Sequence, residues 1–305
     1  MIDNMHLKDP ENIALIGFGE AAQAFHQGWS SNISCQFAAF DIKSLDPDLT
    51  ASQTAIYARS GISGAGDLGA CIRDADGIFS LVTADQALIA AENAAQYIAK
   101  NCYYFDCNSC APDTKKAASK IITAAGGIYL DVAIMAPVYP KLHRAPLLVS
   151  GPNGNAALAF LTQMDMGAEL MGAEIGRASS IKMIRSIVMK GLEAIVAECV
   201  LSGRKAGVEN IVLDTLEKTY PGFGWHERAS YMLERMMVHG PRRAAEMREV
   251  ALTVEQLGLD NSMSKATTNW QQKIGRLGLP AGDETLSERA DKILSALVNK
   301  NSKKS

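Results

Sequence analysis

The chain is expected to fold as a doubly wound α/β parallel sheet followed by an all-α C-terminal domain, and three observations carry that expectation. Short β-branched and aromatic runs alternate with helix-forming stretches over residues 1–175, the pattern of strands joined by helical crossovers. The first of those runs passes directly into a glycine-rich turn. From Gly176 onward the β-like runs stop, and Ala, Leu, Met, Glu, Lys and Arg, all good helix formers, take over. A length of 305 residues suits two domains, so the boundary is placed between 1–175 and 176–305.

Composition narrows the class. With 48% hydrophobic and 21% charged residues the chain is globular rather than disordered or fibrous. Thirty Lys plus Arg against thirty-three Asp plus Glu leave a net charge of −3, so there is no basic excess for a nucleic-acid backbone or an anionic membrane surface. The opening residues carry no apolar leader and no run approaches a spanning helix, which points to a soluble, cytoplasmic protein. Six cysteines (Cys35, Cys71, Cys102, Cys107, Cys110, Cys199) are too sparse for a disulfide framework and read as reduced thiols. Cys107 and Cys110 have the spacing of a redox or metal pair, but no second pair or His cluster completes a zinc site, so buried small residues are the preferred reading.

Taken in order, strands are expected at 13–16, 36–40, 77–82, 103–106 and 127–132, with helices at 21–29, 67–73, 85–99 and 112–125. Pro112 suits a first helical turn, and Gly126-Gly127 suits a stop. A strand at 147–150, a helix at 155–164 and a strand at 169–171 extend the same sheet. The helical half opens with a long helix at 177–203, where Ile181, Ile184, Val188, Leu192, Ile195 and Cys199 recur at three- and four-residue spacing as one stripe expected to be buried. Breaks are expected at Gly203 and Gly207, at Pro221-Gly222-Phe223-Gly224, at Gly240-Pro241 and at Leu279-Pro280-Ala281-Gly282, and the polar tail 299–305 is expected to fray.

The turn after the first strand reads Gly17-Phe18-Gly19-Glu20-Ala21-Ala22, a Gly-x-Gly-x-x-Ala between strand and helix. That context is a Rossmann-type dinucleotide site. Gly17 permits the tight turn, Gly19 lets backbone approach a pyrophosphate, Ala22 is small enough for close helix-on-strand packing, and free N–H groups at the helix start meet the anion. Asp41, closing the second strand, is placed to accept the adenosine ribose hydroxyls, which favours NAD; Lys43, two residues on, leaves NADP open. Val82 and Thr83, where another strand ends, are counted with the cofactor-binding residues.

A nicotinamide cofactor transfers hydride, so a group must handle the hydroxyl proton. Lys182, near the start of the long helix, is the candidate, with Ser186 one turn on. Burial beside the apolar stripe and a cationic nicotinamide would both lower its pKa toward the working pH. By itself, a Lys on an amphipathic helix is more often a solvated residue.

The whole arrangement resembles the β-hydroxyacid dehydrogenase family, which includes 3-hydroxyisobutyrate, tartronate semialdehyde and 6-phosphogluconate dehydrogenases. Lys182 matches the catalytic lysine carried by that family's long helix. Phe105-Asp106-Cys107-Asn108-Ser109-Cys110-Ala111-Pro112 resembles its Asp-x-Ser-Thr-x-x-Pro segment, which makes Asn108 and Ser109 substrate-binding candidates. The run from Tyr129-Leu130-Asp131 to Met135-Ala136-Pro137 resembles its Leu-Asp-Ala-Pro-Val-Ser-Gly-Gly block, with Met135 lining the substrate. Two departures bear on the substrate. Met135-Ala136-Pro137 stands where many members carry Ser-Gly-Gly to hold a carboxylate, and Ser186 replaces the family's Asn. His239 is a further substrate-binding candidate and Arg242 or Arg243 a candidate carboxylate clamp, while the preferred reading of the two arginines is as solvated residues of a helix begun by Pro241.

The resemblance implies an NAD(P)-dependent oxidoreductase acting on a CH–OH group of a small hydroxy or carbonyl compound, probed by no nucleic acid or membrane, and a homodimer formed through the helical domain. A subgroup of relatives with an uncharacterised helical C-terminal domain is similar through the second half. An imine or pyrroline reductase and a non-catalytic dinucleotide-binding module are the alternatives. Lys182 counts against the first, since a cation repels an iminium, and the missing Ser-Gly-Gly favours the second.

Overall fold

A computed structural model describes residues 9–302. Residues 1–8, on which the expectation about an apolar leader falls, and 303–305 of the polar tail lie outside the described residues. The chain divides into two compact units, Met1–Lys182 and Met183–Ser305.

The first unit runs β1 (Asn12–Ile16), α1 (Glu20–Trp29), β2 (Gln36–Phe40), α2 (Thr50–Ser60), β3 (Ser63–Gly64), α3 (Leu68–Ile72), β4 (Gly77–Ser80), α4 (Ala87–Ala94), β5 (Tyr103–Asp106), α5 (Pro112–Ala124), β6 (Ile128–Ile134), β7 (Leu147–Ser150), α6 (Gly154–Gln163) and β8 (Ala168–Leu170). Among the described residues the strands form one sheet in the order β3-β2-β1-β4-β5-β6-β7-β8. The order reverses between β1 and β4, and in such sheets the crevice beyond the strands' carboxyl ends at that reversal is where ligands bind.

One pairing departs from the parallel expectation: β6 and β7 run antiparallel, with Asp131 opposite Ser150. No crossover helix separates them. The segment 135–146 carries only a short 3₁₀ turn, Leu142–Arg144, so the chain folds straight back. Helix α2 and strand β3 escape the sequence patterns because the helix is weakly amphipathic and the strand spans two exposed residues.

Alternation along β1 sends Ile13 and Leu15 to one face and Ala14 and Ile16 to the other. The first face packs on Phe25, Trp29, Phe79 and Phe105, and the second on Ile78, Tyr104, Ala118 and Ile122. Trp29 also donates its ring N–H to the Met164 carbonyl at 2.9 Å, tying α1 to the end of α6.

Helix α7 (Arg177–Ala206) is followed by α8 (Glu209–Thr219), α9 (Trp225–Gln256), α10 (Ser262–Gly275) and α11 (Leu286–Ser302). The unit boundary falls six residues into α7 rather than before it. Most of the stripe expected to be buried on α7 is not: Ile184 is 50%, Val188 68% and Ile195 53% exposed, and Ile181 is exposed as well, while Leu192 and Cys199 are half-buried. The positions buried on this helix include Met183, Ser186, Lys190, Glu193, Ala197 and Val200, also three and four apart, and they carry the polar side chains.

Gly240-Pro241 is not a break, because α9 runs through it. A Cβ on Gly240 would lie 2.6 Å from the Cα of Gly275 on α10, so this glycine exists for a close helix crossing rather than a turn. The actual break, before α10, comes at Gly258, in the left-handed conformation at φ +74°. The tail is helical through Ser302 instead of frayed from 299. Among the described residues no helix is long and apolar enough to cross a membrane.

Candidate active site

The glycine-rich turn has the geometry its sequence demands. Gly17 sits at φ +82°, where a side chain is strained, and a Cβ there would lie 2.7 Å from the Leu81 carbonyl oxygen and 2.9 Å from Val82. Its N–H donates to the Phe40 carbonyl at 2.8 Å, tying the turn to the end of β2. Gly19 differs, since a Cβ on it would meet nothing within 4 Å. It is the N-cap of α1 and makes no side-chain capping hydrogen bond. Ala22 is fully buried, as close packing on the sheet requires. An anionic pyrophosphate fits such an open, uncapped helix start.

Asp41 has work inside the fold. It is buried, and its Oδ2 accepts the Phe18 N–H at 2.8 Å while its Oδ1 accepts the Lys43 N–H at 3.0 Å. Its own N–H donates to the Tyr57 hydroxyl at 2.8 Å. The carboxylate therefore staples the glycine-rich turn to the end of β2, and its free lone pairs remain for a ribose. The Lys43 side chain is exposed.

Asn108 requires a correction. It is buried, its Oδ1 accepts the Val82 N–H at 2.7 Å, and its amide donates to Ser80 at 2.9 Å and to Asp106 at 2.7 Å. With both amide directions used, it shapes the loop instead of reading a substrate. Ser109, next in the chain, is half-buried and accepts a hydrogen bond of 2.6 Å from the Lys182 ammonium. Thr83 is exposed beyond β4, and Met135 is half-buried just past β6, its N–H bonded to the Pro146 carbonyl at 2.9 Å.

The first unit thus brings together Gly17, Phe18, Asp41, Val82, Asn108, Ser109 and Lys182 through direct contacts. Ser186 and His239 belong to the helical unit. Ser186 is buried and accepts from Lys190 Nζ at 3.2 Å, and Lys190 pairs with Glu246 at 2.9 Å. His239 is half-buried on α9. Arg243 is not solvated as expected: it is buried and pairs with Glu193, which also accepts from Gln271 at 2.8 Å.

Sequence reasoning missed Lys115, Asp131, Ser150 and Ser179, which form a buried network with Asp106 beneath this site. A carboxylate inside an otherwise apolar strand run is the available signal for the two aspartates, Asp106 at the end of β5 and Asp131 in the middle of β6; nothing in the pattern of α5 singles out Lys115. Burial disfavours the Lys115 ammonium, but Asp106, Cys110 and Asp131 outweigh it and raise its pKa, so it stays charged. Burial, followed by Asp106, pushes the Tyr129 phenol well up. Burial also pushes the Cys107 thiol up to about 12, Cys110 is a buried free thiol beside it, and among the described residues no group of ligands could hold a metal ion.

Comparison with known proteins agrees with this architecture. Residues 204–274 match a family model described as a domain of unknown function, DUF1932. A conserved hypothetical protein from Sinorhizobium meliloti 1021 is 33% identical, with 94% of this chain and 96% of that one covered and a TM-score of 0.75. The conserved protein MTH1747, described as structurally similar to 3-hydroxyacid dehydrogenases, is 28% identical over 88% of this chain and all of its own length, with a TM-score of 0.68. The 3-hydroxyisobutyrate dehydrogenase of Mycobacterium tuberculosis shares the fold at 14% identity, with a TM-score of 0.69 over 93% of this chain and 99% of its own. With its nucleotide-type turn, its lysine-bearing long helix and its DUF1932 segment, the chain belongs to the β-hydroxyacid dehydrogenase family, in the subgroup with that helical C-terminal domain.

Proposed function

We propose that the protein is an NAD(P)-dependent oxidoreductase that transfers a hydride between a hydroxy compound, of β-hydroxy-acid type, and nicotinamide, with Lys182 as general acid/base. The observation that carries this reading is the 2.6 Å hydrogen bond from Lys182 Nζ to Ser109 Oγ, at the same strand ends as the glycine-rich turn. Bound nicotinamide supplies the hydride acceptor or donor. The chain's own part is the proton. Lys182 gives it to, or takes it from, the substrate oxygen, and Ser109 aims the ammonium while its hydroxyl hydrogen stays available to that oxygen. Ser186, whose oxygen accepts from Lys190, is assigned an orienting role from the helical unit. Pro137, which has no N–H, contributes no donor to a carboxylate.

Asp41 supports NAD as the working cofactor, and NADP is tested beside it. The exposed apolar stripe of α7 supports a homodimer that covers it.

Nicotinamide fluorescence on titration with NADH and with NADPH tests the cofactor, and a panel of hydroxy acids and cyclic imines tests the reaction. Tighter NADH binding, weakened by Asp41→Ala, together with turnover of a hydroxy acid that drops by about 10²–10⁴-fold in Lys182→Met, is the expected result. Binding of neither dinucleotide sinks the reading, and faster turnover of imines than of hydroxy acids replaces it with reduction of C=N.

A further inference from the structure

Both partners of the Lys182–Ser109 contact trace back to one fully buried side chain. From α5, Lys115 donates to Asp106 Oδ1 at 2.8 Å and to the Asp106 carbonyl at 2.6 Å, and it lies 3.6 Å from Asp131 Oδ1. Asp106 and Asp131 are register partners on β5 and β6. Asp106 holds the segment that carries Ser109: its Oδ1 accepts the Asn108 N–H at 3.0 Å and the Asn108 amide at 2.7 Å, while its Oδ2 accepts the Tyr129 hydroxyl at 2.6 Å. Asp131 holds the segment that carries Lys182. Its Oδ2 accepts both the N–H and the hydroxyl of Ser179 at 3.0 Å and the Ser150 hydroxyl at 3.2 Å, and Ser150 Oγ accepts the Ala178 N–H at 3.1 Å.

Two carboxylates this close on neighbouring strands repel strongly in a dry interior. The ammonium between them offsets that repulsion, and the N–H groups at the start of α7 add the favourable end of a helix dipole beside Asp131. Asp131 Oδ1 has no hydrogen-bond partner, so the Lys115 charge is what compensates it.

We propose that Lys115 and Asp131 are positioning residues for the proton-transferring lysine: the Lys115 ammonium fixes the spacing of two carboxylates, of which Asp106 anchors the Ser109 segment and Asp131 the first turn of α7, and so sets the Lys182–Ser109 contact. The functional meaning of that contact rests on the dehydrogenase reading above; the contact and its anchoring do not.

The test reads Lys182 without a substrate. The full chain is acylated with sulfosuccinimidyl acetate, and labelling of Lys182 is followed by peptide mass spectrometry, with exposed Lys116 as internal standard. Ser109→Ala, which removes the partner directly, is expected to raise the Lys182 labelling rate severalfold. Asp131→Asn, and Lys115→Met in an Asp131→Asn background, are expected to raise it comparably, while circular dichroism and NADH affinity stay near those of the parent. Parent-like labelling of folded Asp131→Asn, with faster labelling of Ser109→Ala, overturns the proposal; unchanged labelling in Ser109→Ala overturns the contact on which it stands. If Asp131→Asn does not fold, Ser150→Ala and Ser179→Ala, which each remove one hydroxyl from the same anchor, are judged by the same criterion. With a substrate in hand, the variants should lower kcat and leave the KM for NADH unchanged. A panel without turnover would sink the dehydrogenase reading while leaving this labelling pattern intact.

Discussion

The sheet unit and the helical unit both bury charged side chains, and they satisfy them in different ways. In the sheet unit, Asp106 and Asp131 sit on neighbouring strands and are met largely by backbone N–H groups and hydroxyls, with the single ammonium of Lys115 between them. In the helical unit, Glu193 is met by the side chains of Arg243 and Gln271, and Lys190 by that of Glu246. The loop after β5 and the first turn of α7 present backbone N–H groups to these carboxylates; a helix interior presents none, so buried charges must answer one another from helix to helix. Charge burial in the first unit follows from chain topology, and in the second from the choice of which helix faces meet.

The sharpest way to break this comparison is to remove one partner in the helical unit. Arg243→Met leaves Glu193 buried with Gln271 as its remaining donor, and the expected loss is about 3–5 kcal/mol, read from urea unfolding followed by tryptophan fluorescence. A loss below about 1 kcal/mol would mean that the helical unit satisfies its charges as locally as the sheet unit does.

A smaller effect is expected at the glycine crossing. Gly240→Ala places a Cβ 2.6 Å from the Gly275 Cα, so the crossing must open, at a cost of about 1–3 kcal/mol. The loss should appear in thermal unfolding while NADH binding persists. Gly17→Ala should do the reverse: it strains a φ of +82° and crowds Leu81 and Val82, so NADH affinity should fall more than stability.

The smallest expected effect sharpens the comparison through pH. Burial lowers the pKa of His26, which packs against Phe18 and Phe37. Its folded pKa lies below the unfolded value of 6.5, so the unfolded chain binds more protons between those values. Stability should therefore decline as pH falls below 6.5 and level off beneath the folded pKa. His26→Phe should flatten that part of a melting-temperature profile, and an unaltered slope would assign the pH dependence to other groups.

These contrasts explain what could be read from residues. Gly17 and Ala22 were legible because the positive φ at Gly17 and the full burial of Ala22 admit few residue types. The antiparallel β7 was not, since strand direction depends on what the loop does and not on the strand's own pattern. The inward face of α7 was misread for a physical reason. Periodicity finds two faces, one apolar and one carrying Ser186, Lys190 and Glu193, and hydrophobicity ranks the apolar one as buried. The ranking fails when partners for the polar face, here Glu246, Arg243 and Gln271, come from sequence far away. Asn108 was misassigned for the same reason, because its hydrogen-bond capacity is used by Val82, Ser80 and Asp106.

The double hold of Asp41 on the Phe18 and Lys43 N–H groups has an evolutionary consequence. A lineage drifting toward a phosphorylated coenzyme would ordinarily discard the acid at this position first. Here that change also unfastens the turn on which either coenzyme must dock, so the first mutant on such a path is handicapped before any benefit can arise. The acid at this position is to that extent entrenched, and its loss requires a second mutation that re-ties the turn beforehand.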